Sequence, residues 1–222
     1  HMQSCTLLPD GISYKEAAMC DTGGVALHGV EIAGITPGST VAVIGPGPIG
    51  MMVMKLTRAL GAARVIVVGR GSRLDSARAL GCSDAVDFTQ EDPVRAVHRL
   101  TEEIGADVCF ECSGANGTVS QAIRMCRKGG KVILLGVPAT EHDEPIPFKY
   151  VTHNEIMISG SRANPNESWK LLNMIKHGNI SVQDMVTHTF SLDEMRKAMD
   201  IFVHRKEKVM KVVIYPNGGE DA

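Results

Sequence analysis

Short apolar runs rich in Val and Ile recur along this chain, and between them the hydrophobic positions switch to the spacing of an amphipathic helix. The runs Val41–Ile44, Arg64–Val68, Ala85–Phe88, Asp107–Glu111, Lys131–Leu135 and Ile156–Ser159 read as strands. Helical patterns at Met51–Leu60, Leu74–Leu80, Val94–Glu103 and Thr118–Cys126 fall between most of them. Strands that are apolar throughout, rather than alternating, belong to a sheet covered on both faces. The pattern therefore predicts an α/β fold with a doubly wound, parallel, six-stranded sheet.

The flanks break this rhythm. Asp10–Gly38 reads as a loop and a helix, Gly24–Ala33, with no strand partner. Beyond Gly160 come two amphipathic helices, Glu167–His177 and Leu192–His204, a short strand Val209–Ile214 and a polar tail Asn217–Ala222. Three stretches are expected: 1–34, a strand-and-helix unit over 35–160, and a small α+β segment over 161–222. His1-Met2 reads as the scar of a cleaved tag, and the natural chain is expected to begin inside a longer protein.

The first strand and helix are joined by Gly45-Pro46-Gly47-Pro48-Ile49-Gly50. Glycines at this spacing turn tightly off a strand, let backbone approach a pyrophosphate, and allow a helix to pack closely on the sheet. The helix then aims its unpaired N–H groups and positive dipole end at the phosphates. An isolated GxGxxG is weak; here it follows an apolar strand, opens a helix ending near Gly61, and precedes a second strand, as in a βαβ unit. These residues point to a dinucleotide cofactor and the Rossmann type of fold.

The residue ending the second strand selects the cofactor. An acidic side chain there accepts from the ribose hydroxyls of NAD, whereas arginine meets the 2′-phosphate of NADP. This chain has Gly69, followed by Arg70, Gly71, Ser72 and Arg73. A missing carboxylate and two guanidiniums, whose planar forks suit phosphate, predict NADP in preference to NAD; the other reading is a solvated basic loop.

Composition narrows the remaining choices. With 222 residues, 44% hydrophobic, and a formal net charge of -2, the chain fits a globular protein without the basic excess of a nucleic-acid or anionic-membrane binder. No apolar run approaches the length of a membrane span. Six scattered cysteines without a leader predict a reduced, cytoplasmic setting. Cys109 and Cys112 form a CxxC, but on a strand they point to opposite faces and read as core thiols.

Further motifs complete the reading: His28-Gly29-Val30 with Pro37-Gly38, Ala59-Leu60-Gly61-Ala62, Ala79-Leu80-Gly81, Glu111-Cys112-Ser113-Gly114, and Arg127-Lys128-Gly129-Gly130-Lys131 leading to Leu135-Gly136-Val137. Together with the glycine turn, and in this order from Leu8 to Pro216, they resemble the zinc-dependent medium-chain alcohol dehydrogenase family. The resemblance implies hydride transfer between a nicotinamide and a secondary alcohol, ketone or polyol. It makes 1–34 a remnant of a divided catalytic domain and 161–222 that domain's returning segment. It implies zinc in the full-length enzyme, with Asp21 as the acidic ligand seven positions before His28; the residue's alternative reading is a helix N-cap. One carboxylate is not a zinc site, so neither zinc nor alcohol turnover is expected of this chain alone.

The resemblance also implies cofactor contacts at Ser113, Gly114, Gly136 and Val137, which end strands where ligands bind in open sheets, and at Arg162 and Lys211. Of the histidines, His28, His153 and His188 read either as surface groups or as proton carriers, with His28 the best catalytic candidate. The edge run Ile156–Ser159 is expected to join two copies into a homodimer. Two other functions stay open: a zinc-free quinone or enoyl reductase, and a nucleotide-binding module without chemistry.

Overall fold

The structure is a computed structural model that describes residues 5–138 and 143–217; His1-Met2 and the tail beyond Asn217 lie outside the described residues. In chain order the elements are α1 Tyr14–Ala17, α2 Cys20–Ala33, β1 Thr40–Ile44, α3 Pro48–Ala59, β2 Arg64–Gly69 and α4 Gly71–Ala79. They continue as β3 Asp84–Asp87, α5 Pro93–Leu100, β4 Ala106–Glu111, α6 Thr118–Met125, β5 Cys126–Leu134, α7 Phe148–His153 and β6 Met157–Gly160. The last part contains α8 Ser168–Lys176, β7 Val186–Ser191, α9 Met195–Val203 and β8 Lys211–Tyr215.

The six expected strands form one sheet in the order β3-β2-β1-β4-β5-β6, and all neighbours are parallel. The apolar runs are continuous because successive side chains feed two different cores. Val41, Val43, Val65, Val67 and Phe110 face a core shared with α2, α3 and α8. Ala42, Ile44, Ile66, Val68 and Cys109 face one shared with α5 and α6. Phe110 is wholly buried; truncating such a side chain to Ala costs roughly 3–5 kcal/mol. In α3, Met51, Met52 and Met54 are also fully buried, and their flexible thioethers fill the space between sheet and α2.

Several boundaries shift from the sequence reading for local reasons. Helix α2 starts at Cys20 rather than Gly24, so Asp21 lies in its first turn and is not the N-cap, a position held by Met19. Helix α4 starts at Gly71, which places Ser72 and Arg73 in a helical turn rather than in a loop. Strand β3 ends at Asp87, leaving Phe88 half-exposed beside it. Cys126 leaves the helical conformation and begins β5, which carries an irregularity opposite Ala106/Val108.

After β6 the chain returns to the Rossmann unit. Helix α8 packs on α2, burying Leu171 and Ile175 in the same core. The sequence reading missed β7, which pairs in parallel with β8 to form a separate two-stranded sheet. Its alternation is visible in hindsight: Val186 and Phe190 are buried while Thr187 and Thr189 are exposed. Among the described residues, no helix is long and apolar enough to cross a membrane.

Candidate functional site

At the carboxyl end of the sheet, a cavity of about 870 Å³ runs between the ends of β1, β2, β3 and β4. This volume falls in the range of small-molecule and cofactor sites. The turn Gly45–Gly47 forms its floor. Gly45 has φ +97°, and a Cβ there would stand 2.9 Å from the Cβ of Ser113. The first glycine thus permits both the turn and the close approach of β4. Gly47 is the N-cap of α3, with Pro48 at the start of the helix, where a missing N–H costs nothing. A Cβ on Gly50 would collide with the carbonyl oxygen of Gly45 and lie 3.3 Å from Val43 Cγ1. Ile49 packs against the core. Space is kept above Gly47, where the nearest group to an added Cβ is Arg73 Nη1 at 3.6 Å.

Gly69 ends β2 and is buried. A Cβ at this position would fall 2.5 Å from Pro46 Cδ, so the proline ring occupies the space in which a selecting carboxylate would start. Arg70 stands 5.6 Å over the ring of Phe88, in a cation–π contact that preorients its guanidinium. Beside it, Asp87 accepts from Thr89 N at 2.9 Å and Thr89 Oγ1 at 2.7 Å. These bonds, the side-chain one first, hold its carboxyl below the usual range, with Arg78 and Arg70 adding to the effect. Burial, then the charge of Arg205, lowers the pKa of Arg73. No side-chain hydrogen bond caps the first turn of α4, so Ser72 and its neighbours present N–H groups at the cavity rim.

The buried carboxylate of Glu111 organises the opposite wall. Glu111 accepts from Ser113 N at 2.8 Å, Gly114 N at 3.1 Å and Thr118 Oγ1 at 3.0 Å, and also from Ser113 Oγ. Its backbone carbonyl accepts from Leu135 N and Gly136 N, tying the ends of β4 and β5 together. Gly114 has φ +63°, and a Cβ there would lie 2.7 Å from the carbonyl carbon of Val137. A Cβ on Gly136 would meet the backbone of Gly114 and the carboxylate of Glu111. The Val137 side chain is 84% exposed, which leaves its surface available to a ligand at this edge.

Not every residue singled out from the sequence converges here. Of those, Gly45, Gly47, Gly69, Arg70, Ser72, Arg73 and Ser113 line the cavity. Arg162 is exposed after β6 and does not line it. Lys211 Nζ donates to Thr22 Oγ1 at 3.0 Å at the start of α2. His28, on α2, has Nδ1 4.0 Å from Glu167 Oε1, and Glu167 in turn lies 2.7 Å from Lys170 Nζ. His153 ends α7, and His188 stacks on Phe190 with Nε2 3.4 Å from Glu207. Sequence reasoning missed Pro46, Phe88 and Glu111, together with Arg205 and Lys208, which reach the cavity from the turn after α9.

The donor set suits a dinucleotide: glycines clear a path for phosphate, arginines supply charge, and N–H groups face the gap. It does not suit a metal. Asp21 is exposed, and the described residues contain no group of three or more His, Cys, Asp or Glu side chains able to hold an ion. Cys109 and Cys112 point into opposite cores, and burial pushes both thiols up, which suppresses the reactive thiolate.

A parallel sheet in this strand order, with a glycine turn at its switch point, defines a dinucleotide-binding α/β protein. The chain belongs to the zinc-binding dehydrogenase family, whose model, described as "Zinc-binding dehydrogenase", matches residues 48–177. It is 30% identical over 212 residues to a sorbitol dehydrogenase of Bacillus subtilis (strain 168), covering 95% of this chain and 60% of that one. Among solved structures it is similar to 2R,3R-butanediol dehydrogenase from Bacillus subtilis, with TM-score 0.87, 28% identity, and coverage of 95% and 60% of the two chains. A putative zinc-binding dehydrogenase from Sinorhizobium meliloti 1021, bound to NADP, gives TM-score 0.86 and 30% identity over 94% of this chain and 61% of that one. The chain therefore spans about 60% of the length of these relatives.

Proposed function

We propose that this chain is the cofactor-binding part of an NADP-preferring dehydrogenase that moves hydride between a nicotinamide and a secondary alcohol, ketone or polyol. The observation that carries this reading is the cavity over Gly45–Gly47, open at Gly47 and bordered by Arg70 and Arg73, with no carboxylate at position 69. Nicotinamide C4 supplies the hydride chemistry when the cofactor is bound. The chain's residues bind and orient it. The glycine turn and the start of α3 receive the pyrophosphate, Arg70, Ser72 and Arg73 take the 2′-phosphate, and Ser113, Gly114, Gly136 and Val137 border the path towards the nicotinamide. The sorbitol and butanediol dehydrogenases among its relatives favour an alcohol or polyol over a quinone.

Asp21 lacks the companions of a zinc site among the described residues. In this reading Asp21 is a ligand completed by groups outside them. Residues 35–160 are the dinucleotide-binding unit, 1–34 and 161–222 are parts of a catalytic domain, and the cytoplasm is the setting. A homodimer through β6 is supported by its position at the sheet edge and by Met157, 54% exposed there. Calorimetric titration with NADPH tests the reading: saturable binding near one per chain is expected, and absence of binding contradicts it.

A further inference from the structure

The turn after α9 brings two cations to the cavity from a part of the chain remote from the glycine turn. Arg205 and Lys208 both line it, as does Arg73, and the charge of Arg205 acts on Arg73. The intervening residues are turned elsewhere: Lys206 Nζ pairs with Asp200 at 2.6 Å, and Glu207 with His188 at 3.4 Å. Among the described residues, no carboxylate lies within ion-pair distance of Arg73, Arg205 or Lys208. Arg70 differs, because it rests on Phe88 and feels the charge of Asp87.

Like charges gathered around one cavity disfavour each other, and an anion bound between them relieves that repulsion. Arg205, Glu207 and Lys208 all have positive φ, at 53°, 53° and 56°. Non-glycine residues occupy that region at a cost and persist there when surrounding structure demands it. The bends turn alternate side chains of one short segment in different directions.

We propose that Arg205 and Lys208 form, with Arg73, a clamp for the 2′-phosphate of the dinucleotide, built across the Rossmann unit and the returning C-terminal segment. The inference rests on the NADP reading above and adds to it. The C-terminal turn is a second determinant of cofactor choice, and the 2′-phosphate ties the two parts of the chain together. Charged hydrogen bonds to phosphate order flexible segments in this way.

The test compares 2′,5′-ADP with 5′-AMP, which differs from it only in lacking the 2′-phosphate, by calorimetry on the wild-type chain and on Arg205→Ala/Lys208→Ala. The clamp predicts that the double variant loses about tenfold or more in affinity for 2′,5′-ADP and keeps its affinity for 5′-AMP, which also reports that it is folded. An equal loss for both ligands would move these residues to the adenosine or 5′-phosphate that the two share and overturn the proposal, as would no loss for either. Trypsin gives an independent reading, because 202–208 are exposed. Cleavage after Arg205, Lys206 and Lys208 should slow with 2′,5′-ADP and not with 5′-AMP; equal rates contradict the clamp. If the wild-type chain binds neither nucleotide, the dinucleotide reading itself fails. If wild-type selectivity persists in the double variant, only the clamp fails.

Discussion

The ring of Pro46 and the bare backbone of Gly69 fit together: a Cβ at position 69 would fall 2.5 Å from Pro46 Cδ. The absent carboxylate at the end of β2 is thus coupled to the residue between the first two glycines of the phosphate turn. Gly69→Asp on its own is not a clean reversal of cofactor preference, because it forces the turn to move.

We expect Gly69→Asp alone to lower stability by roughly 1–3 kcal/mol, the usual cost of overpacking, and to weaken both NADPH and NADH. Pro46→Ala/Gly69→Asp removes the ring and restores room for the acidic side chain. Thermal unfolding and titrations should show the double variant regaining stability and preferring NADH. A stable single variant with ordinary affinity would disprove the coupling.

Glu111 holds the loop after β4 by accepting several hydrogen bonds at one buried carboxylate. Glu111→Gln replaces an acceptor with a donor facing the N–H of Gly114. Urea denaturation should report a loss of roughly 1–3 kcal/mol, the range for leaving a buried polar group unsatisfied, and nucleotide affinity should fall with it. Unchanged stability would mean that the loop is held by other contacts.

The position of Asp21, without companion ligands among the described residues, predicts that the purified chain carries no stoichiometric zinc and does not oxidise secondary alcohols. Elemental analysis after chelator-free purification checks the first point. One zinc per chain would contradict this prediction.

The edge of the sheet gives an assembly prediction. Ser161 N donates to Leu134 O, so by strand alternation the N–H of Ile158 points away from β5. Helix α8 packs on α2 rather than across this edge. Sedimentation at micromolar concentration should show a dimer, and Ile158→Pro, which removes an outward donor, should dissociate it while sparing 2′,5′-ADP binding. A wild-type species of 23.8 kDa would rule the dimer out.

The sheet was legible in the sequence because burial on both faces leaves continuous apolar runs, and the glycine turn because its sterics demand glycine. Other features depend on contacts between distant segments. The clash of Pro46 with position 69 crosses from one βα turn to the next, and Arg205 and Lys208 meet Arg73 only after the chain returns past β6. Glu111 stood in a recognised motif, yet its role as an acceptor becomes visible only when the donors of Ser113, Gly114 and Thr118 fold around it. Strand β7 is hard to read from the sequence because its period-two alternation is short and interrupted by His188, although Val186 and Phe190 mark its buried side.

The most direct test of the central claim is the ratio of NADPH to NADH affinity for the wild-type chain and for Arg73→Ala, measured by fluorescence titration at one ionic strength. The wild-type chain should bind NADPH at least about tenfold more tightly, as a single charge-assisted contact of roughly 1.5–3 kcal/mol allows. Arg73→Ala should remove most of that advantage and scarcely alter NADH. Equal affinities of the wild-type chain for the two cofactors would contradict the account.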